Sequence, residues 1–284
     1  IHQVYRELRG QFLTYATPHF GVQSPSVQQH KMTISRPNGL PPQRLHQLTF
    51  SFFTWRLRML TVPGLCWLCR MPLALSAWGV CSVCTRALGY LKGCPQCGLP
   101  AVSQTLPCGR CLKKAPPWSA LVAVDDYVLP LSRLVHQFKF SSQIALAQPL
   151  ARLLLLAVLQ ARRTRGLPPV DTLVNVPLFQ RRHWRRGYNQ SDLLCRPLAR
   201  WLGCRYPASA LKRIHATAVQ HRLNARSRKR NLKNAFRLEL PVNGLHIAIV
   251  DDVVTTGSTV AELSRLLLQS GAASVQVWCL CRTL

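Results

Sequence analysis

His246-Ile247-Ala248-Ile249-Val250-Asp251-Asp252-Val253-Val254-Thr255-Thr256-Gly257-Ser258-Thr259 is the stretch on which the fold turns. Its apolar run predicts a buried strand, because a strand covered on both faces needs no polar alternation. Two adjacent carboxylates follow at the strand's C-terminal end, in a chain that has only nine acidic residues. A loop of small hydroxylated residues comes next, and then residues 260–269 at helical period. A strand, such a loop and a helix N-terminus together predict a phosphate cradle. Loop N–H groups, hydroxyls and the positive end of the helix dipole converge on one anion. Asp251 and Asp252 would repel that anion, so they suit neighbouring hydroxyls or a hydrated Mg²⁺.

A ligand with a phosphate, a diol and a metal-bound pyrophosphate meets all these demands, and phosphoribosyl pyrophosphate (PRPP) is one. The segment resembles the PRPP loop of type I phosphoribosyltransferases: four apolar residues, a carboxylate pair, then Thr-Thr-Gly. The resemblance implies that Asp251 and Asp252 hold the ribose hydroxyls, with Mg²⁺ accompanying the ligand. It implies that Thr255, Thr256, Gly257, Ser258 and Thr259 hold the 5′-phosphate.

Outward from this stretch, strands and helices alternate. Residues 121–127, 172–176, 245–250 and 274–281 read as strands. Residues 130–140, 144–163 and 191–202 read as helices, the last with Ser191 as N-cap. Gly271 stands where a helix C′ residue should. Such alternation predicts an α/β domain over residues 118–284, a mainly parallel sheet flanked by helices. Ligands of such sheets bind at the carboxyl ends of the strands, where the Asp pair sits.

Residues 59–117 form a different module. Eight of the chain's twelve cysteines stand in four Cys-x-x-Cys pairs: Cys66/Cys69, Cys81/Cys84, Cys94/Cys97 and Cys108/Cys111. Each pair places two thiolates on one turn, and two turns close a tetrahedral site, so eight thiolates predict two structural Zn²⁺ ions. A segment this short, with few large apolar groups, could hardly fold without metal. The spacing leaves open whether sites use consecutive or interleaved pairs. Cys195, Cys204, Cys279 and Cys281 read as core thiols. Reduced thiols and the lack of a recognisable signal peptide point to the cytoplasm. The longest apolar run, residues 153–159, is too short to span a bilayer.

Residues 1–58 carry no cysteine, little periodicity and one acid, Glu7. They read as translated sequence upstream of a true start at Met59, or as a disordered basic tail.

The net charge of +28 favours polyanion partners. Much of it lies in two clusters. One, Arg181-Arg182-His183-Trp184-Arg185-Arg186-Gly187-Tyr188-Asn189-Gln190, follows the strand at 172–176 and so lies on the rim of the Asp pair. Arg181, Arg182, Arg185, Arg186, Asn189 and Gln190 suit pyrophosphate or nucleic acid. The other, residues 213–236, lies where a phosphoribosyltransferase has its mobile lid.

These clusters, with the zinc module and the loop, resemble the ComF/GntX family, in particular its enterobacterial branch. Arg186-Gly187-Tyr188-Asn189-Gln190 matches that family's Arg-Gly-Phe/Tyr-Asn-Gln box. Thr217, Gln220, Arg230, Asn231, Ala235 and Phe236 match its lid pattern. The likeness spans residues 59–284. It implies a protein of competence and of the use of extracellular DNA as a nutrient, in DNA uptake and nucleotide salvage. Two functions stay open: a phosphoribosyltransferase with an unidentified acceptor base, or a non-catalytic accessory that binds single-stranded DNA and DNA-processing proteins. In the second, Trp184 and Tyr188 would stack on bases.

Overall fold

The chain divides into two units, Ile1–Leu60 and Thr61–Leu284. A computed structural model describes residues 64–89, 93–178, 187–214 and 235–283, all in the second unit. The expectation for residues 1–58 lies outside the described residues.

Four parallel strands form the main sheet: β1 (Ala120–Asp126), β2 (Thr172–Asn175), β5 (His246–Val254) and β6 (Ser274–Arg282), in the order β1-β6-β5-β2. Helix α6 (Ser258–Gln269) makes the crossover between the two central strands. The period of two assigns the faces. On β5, Ala248 and Val250 pack with α3 (Leu131–Phe140), α4 (Ala147–Arg165) and α5 (Gln190–Leu202). Ile247 and Ile249 pack on the other side with α6 and with a two-stranded antiparallel sheet, β3 (Leu211–Arg213) and β4 (Phe236–Leu238). The result is three layers with the sheet in the middle.

The expected strands and helices are present, with three differences. Strand β5 runs on to Val254, so Asp251 and Asp252 lie in the strand and not in the turn. Pairing with β6 continues through Asp251–Cys279 and Val254–Arg282, which keeps the backbone extended there. Asn189, not Ser191, caps α5: its Oδ1 accepts from the Ser191 N–H at 3.0 Å. Strands β3 and β4 are three residues each, too short to show a period, and they join the two ends of the segment expected to be a lid.

The segment Ile144–Arg165 is long and apolar enough, by length and composition, to cross a membrane. It is a 3-10 turn followed by α4, and Leu150, Leu153, Leu154, Ala157 and Val158 are buried in the core. Its apolar character is used inside the domain. Pro149 sits in the first turn of α4, where an N–H needs no helical partner.

The cysteines use consecutive pairs. Cys66, Cys69, Cys81 and Cys84 form one group, and Cys94, Cys97, Cys108 and Cys111 the other. The two groups are built alike. In each, a knuckle is closed by an antiparallel bridge, Leu65–Pro72 or Gly93–Pro100. In each, the residue after the second cysteine is left-handed, Arg70 at φ 64° and Gly98 at φ 70°. In each, the third cysteine caps a short helix, Cys81 before α1 (Ser82–Ala87) and Cys108 before α2 (Gly109–Lys113).

Gly98 has no room for a side chain. An added Cβ would stand 2.6 Å from Leu121 Cδ2, at a positive φ. Gly98→Ala is expected to cost about 1–3 kcal/mol through strain and overpacking. Arg70→Gly, at the equivalent position, should change stability by less than about 1 kcal/mol. Thermal unfolding of both variants checks this; equal effects would contradict the crowding argument.

Candidate functional site

The thiolate groups have the dimensions of closed metal sites. All four sulfurs of each group lie within 4.8 Å of one another. Cys69 and Cys81 sulfurs are 3.7 Å apart, Cys97 and Cys108 3.7 Å, and Cys94 and Cys111 3.9 Å. A tetrahedral Zn²⁺ with ligands at about 2.3 Å separates its sulfurs by about 3.8 Å. Backbone N–H groups are aimed at the sulfurs, as thiolates require: Cys81 N to Cys66 Sγ at 3.4 Å and Cys108 N to Cys94 Sγ at 3.3 Å. The N–H of Cys111 holds the Cys108 thiol below the usual range, with slight burial opposing it. Four thiols with no open fifth group fit a structural ion. Cys195, Cys279 and Cys281 are buried in the α/β domain and Cys204 partly so. Burial pushes their thiols up, which suits packing and not reactivity.

The second site lies at the carboxyl end of β5. Asp251 Oδ1 accepts from the Asp252 N–H at 2.9 Å and from Ser191 Oγ at 3.3 Å. Asp252 Oδ1 accepts from the Val253 N–H at 2.6 Å and pairs with Lys139 Nζ at 3.0 Å. Lys139 reaches the pair from α3. Burial, with the neighbouring Asp252 carboxylate adding to it, raises the Asp251 carboxyl well above its ordinary range; Lys139 opposes this. The pair therefore carries less than two negative charges at neutral pH. A cation or a donor hydroxyl arriving there would relieve it.

The loop after β5 is short. Gly257 is left-handed at φ 74° and caps α6. Its Cβ, if present, would stand 3.2 Å from the Trp118 ring. The Thr256 and Ser258 hydroxyls lie 2.8 Å apart. The Ser258 N–H, at the start of a 12-residue helix, donates to the Thr256 hydroxyl at 3.4 Å, so two hydroxyls stand at the positive end of that helix. A cavity of about 400 Å³ adjoins the loop, between α6 and the second thiolate group, with Arg110, Lys114 and Trp118 in its lining.

Asn189 and Gln190 are buried beside this end of the sheet. The Asn189 amide donates to the Val176 carbonyl at 3.0 Å, which fixes the start of α5 against the end of β2. Through Ser191 the same turn touches Asp251. The structure thus brings together Asp251, Asp252 and the Thr255–Thr256–Gly257–Ser258–Thr259 loop, with Asn189 and Gln190 on the same rim. Arg181, Arg182, Arg185, Arg186, Thr217, Gln220, Arg230 and Asn231 lie outside the described residues. Ala235 is buried, and the Ile214 N–H donates to its carbonyl at 2.9 Å.

Sequence reasoning missed Lys139, Ser191, Trp118 and Arg282. Lys139 carried a faint signal, a cation next to the buried Phe138 near the end of helix Leu131–Phe140. Arg282 carried another, a charge at the end of an apolar strand.

No family model matches the chain. Over 227 residues it is 69% identical to a protein of Salmonella typhi named DNA utilization protein YhgH, covering 80% of this chain and all of that one. The protein of the same name in Escherichia coli strain K12 matches to the same extent. Competence protein F of Haemophilus influenzae is 42% identical over 217 residues, 75% of this chain and 95% of the relative. Among solved structures, a hypoxanthine phosphoribosyltransferase of Trypanosoma cruzi overlays 49% of this chain and 66% of its own at 17% identity. Its TM-score is 0.32, too low to decide anything.

Two predictions come from this geometry. Protein purified without chelator should carry about two Zn²⁺ per chain, and Cys94→Ser should lose one of them. Metal analysis giving none, with all eight thiols open to a thiol probe, would refute the assignment. The other concerns Asp251. Its raised folded-state value means that the folded chain keeps a proton which the unfolded chain releases above about pH 4. Folding is therefore progressively penalised as pH rises from there. Asp251→Asn removes the penalty, so its Tm advantage over the parent should be about 2–4 °C larger at pH 8 than at pH 5. Parallel Tm–pH curves would show that Asp251 is not raised.

Proposed function

The chain belongs to the ComF/GntX family of DNA utilization and competence proteins, and from that membership we propose that it binds PRPP at the carboxyl end of β5. The observation that carries the reading is the juxtaposition of a carboxylate pair with a hydroxyl-lined loop at a helix N-terminus. Asp251 and Asp252 receive the ribose 2′ and 3′ hydroxyls. The Asp251 carboxyl, which burial holds above the ordinary range, can donate to one hydroxyl oxygen while Asp252 accepts from another. Thr255, Thr256, Gly257, Ser258 and Thr259 take the 5′-phosphate. The oxygen donors of the pair also suit a hydrated Mg²⁺, which when bound neutralises pyrophosphate charge. Arg181, Arg182, Arg185 and Arg186 add guanidinium contacts to the pyrophosphate. Thr217, Gln220, Arg230 and Asn231 belong to a lid that closes over the ligand. Residues of the lid's two ends are tied by β3 and β4, which would give such a segment fixed hinges. The family's association with DNA use supports a role in the cytoplasm, in taking up extracellular DNA and salvaging its nucleotides. A phosphoribosyl transfer to an acceptor base is the reaction class that such a site would serve.

The second reading is a non-catalytic DNA-handling accessory protein, favoured by the net charge of +28 and by the relatives' names. It would bind single-stranded DNA and DNA-processing partners.

Calorimetry with PRPP and Mg²⁺ tests the first reading. The parent should bind, and Asp251→Ala with Asp252→Ala should abolish binding while leaving the fold intact. Parent protein that ignores millimolar PRPP would end this proposal. Neutralising Arg181, Arg182, Arg185 and Arg186 together separates the two readings. PRPP affinity should fall, while single-strand affinity and its salt slope, roughly −0.7 per phosphate contact, should change little. The opposite pattern would favour the accessory role.

A further inference from the structure

Arg282, the last residue of β6, is buried, with 7% of its surface exposed. Burial draws its pKa down. Among the described residues no carboxylate forms an ion pair with it; its partners are main-chain carbonyls. Nε donates to the Cys97 carbonyl at 2.9 Å. Nη1 donates to the carbonyls of Val254 at 3.0 Å, Thr283 at 2.8 Å and Thr255. One guanidinium therefore holds the knuckle of the second thiolate group and the first residue of the phosphate loop at once. A buried cation is costly, and hydrogen bonds to carbonyls are what offset it here.

Trp118 makes the same connection by another route. Its indole N–H donates to the Gln96 carbonyl at 2.6 Å, and its ring closes off the space beside Gly257. A third bond joins the Leu121 N–H to the Pro95 carbonyl at 2.9 Å. Pro95, Gln96 and Cys97 are thus each gripped by the α/β domain, and two of the three grips also touch the loop. The knuckle that offers these carbonyls carries Cys94 and Cys97, two of the four thiols that would close on an ion. Without that closure, so small a segment has little apolar core to hold its turns.

The first thiolate group docks elsewhere. Gly79 lies against Pro149 of α4, and Arg152 lies over the Trp78 ring at 4.4 Å and donates to the Val80 carbonyl at 3.4 Å. The Gly89 N–H donates to Asp125 at 2.9 Å. These contacts reach α4 and β1, not the loop.

We propose that Arg282 and Trp118 are positioning residues that make the Thr255–Thr256–Gly257–Ser258 loop depend on the ion held by Cys94, Cys97, Cys108 and Cys111. Loss of that ion, by chelation or thiol oxidation, loosens the loop and weakens its hold on a phosphate. Loss of the ion of the first group does not. The loop's order is a property of the chain by itself; only the affinity measurement below rests on the proposed PRPP site.

The test uses the full chain and four variants: Cys108→Ser, Cys81→Ser, Arg282→Met and Trp118→Phe. Bound zinc, amide hydrogen exchange of residues 254–260 and PRPP affinity are measured for each. Cys108→Ser and Cys81→Ser should each lose one zinc. Only Cys108→Ser should speed loop exchange, by about tenfold or more, with exchange over the buried span of α4, residues 150–158, unchanged; the last residue of that helix, Arg165, is set aside because it donates to the Gly93 carbonyl of the second group at 3.1 Å. Arg282→Met should keep both zincs and reproduce the fast loop, and Trp118→Phe should do so in part. PRPP affinity should fall in the same order. Equal loop exchange in the two cysteine variants, a rise shared by that span of α4, or a slow loop in Arg282→Met with Trp118→Phe unchanged would each overturn the coupling. A parent that binds no PRPP would defeat the proposed function alone, because the exchange comparison still decides the coupling.

Discussion

Two carboxylates on consecutive residues of a central strand are an electrostatic liability, and much of the site is arranged around it. Strand β5 is paired by β2 as far as Val250 and by β6 on to Val254, so its backbone stays extended through Asp251 and Asp252. The charges are managed by neighbours instead. Lys139 comes down from α3 to pair with Asp252, Ser191 comes from the start of α5 to Asp251, and the backbone N–H groups of Asp252 and Val253 turn inward. Asp251 then holds its proton more tightly than an ordinary carboxyl. The position of α3 and the capping of α5 by Asn189 are thereby constrained by the same pair of acids.

The main sheet was legible because its strands are covered on both faces. Continuous apolar runs such as Leu173–Val174 and Ile247–Ala248–Ile249–Val250 need no alternation to be recognised, and the intervening helices have length and period. The same continuity hid where β5 ends: hydrogen bonding to β6 continues beneath two polar side chains. Strands β3 and β4 were illegible because three residues carry no period. The loop and the helix after it were legible because a glycine and small residues follow the apolar run and a helical period follows them.

The side chains that reach the site from a distance in sequence were not legible. Lys139 lies 113 residues before Asp252, and only the packing of α3 over the sheet brings the two within 3.0 Å. Trp118 and Arg282 look like a boundary residue and a strand end. Their roles depend on how the second thiolate group is seated, which spacing alone does not reveal. Cysteine pairing likewise became plain only in three dimensions, although the number of ions did not depend on it.

The two thiolate groups share a plan: knuckle, left-handed residue, bridge and cysteine-capped helix, displaced by 28 residues between Cys66 and Cys94. Such a repeat has the form of a duplicated unit whose copies took on separate duties. One copy keeps Arg70 at the left-handed position, where the side chain can lie out over Trp67. The other has Gly98 there, where Leu121 crowds in at the place a side chain would begin. The copy that came to rest against the loop gave up freedom of sequence at that position, while its sibling retained it. Drift should therefore fall unevenly on two modules that set out four thiols each on one plan.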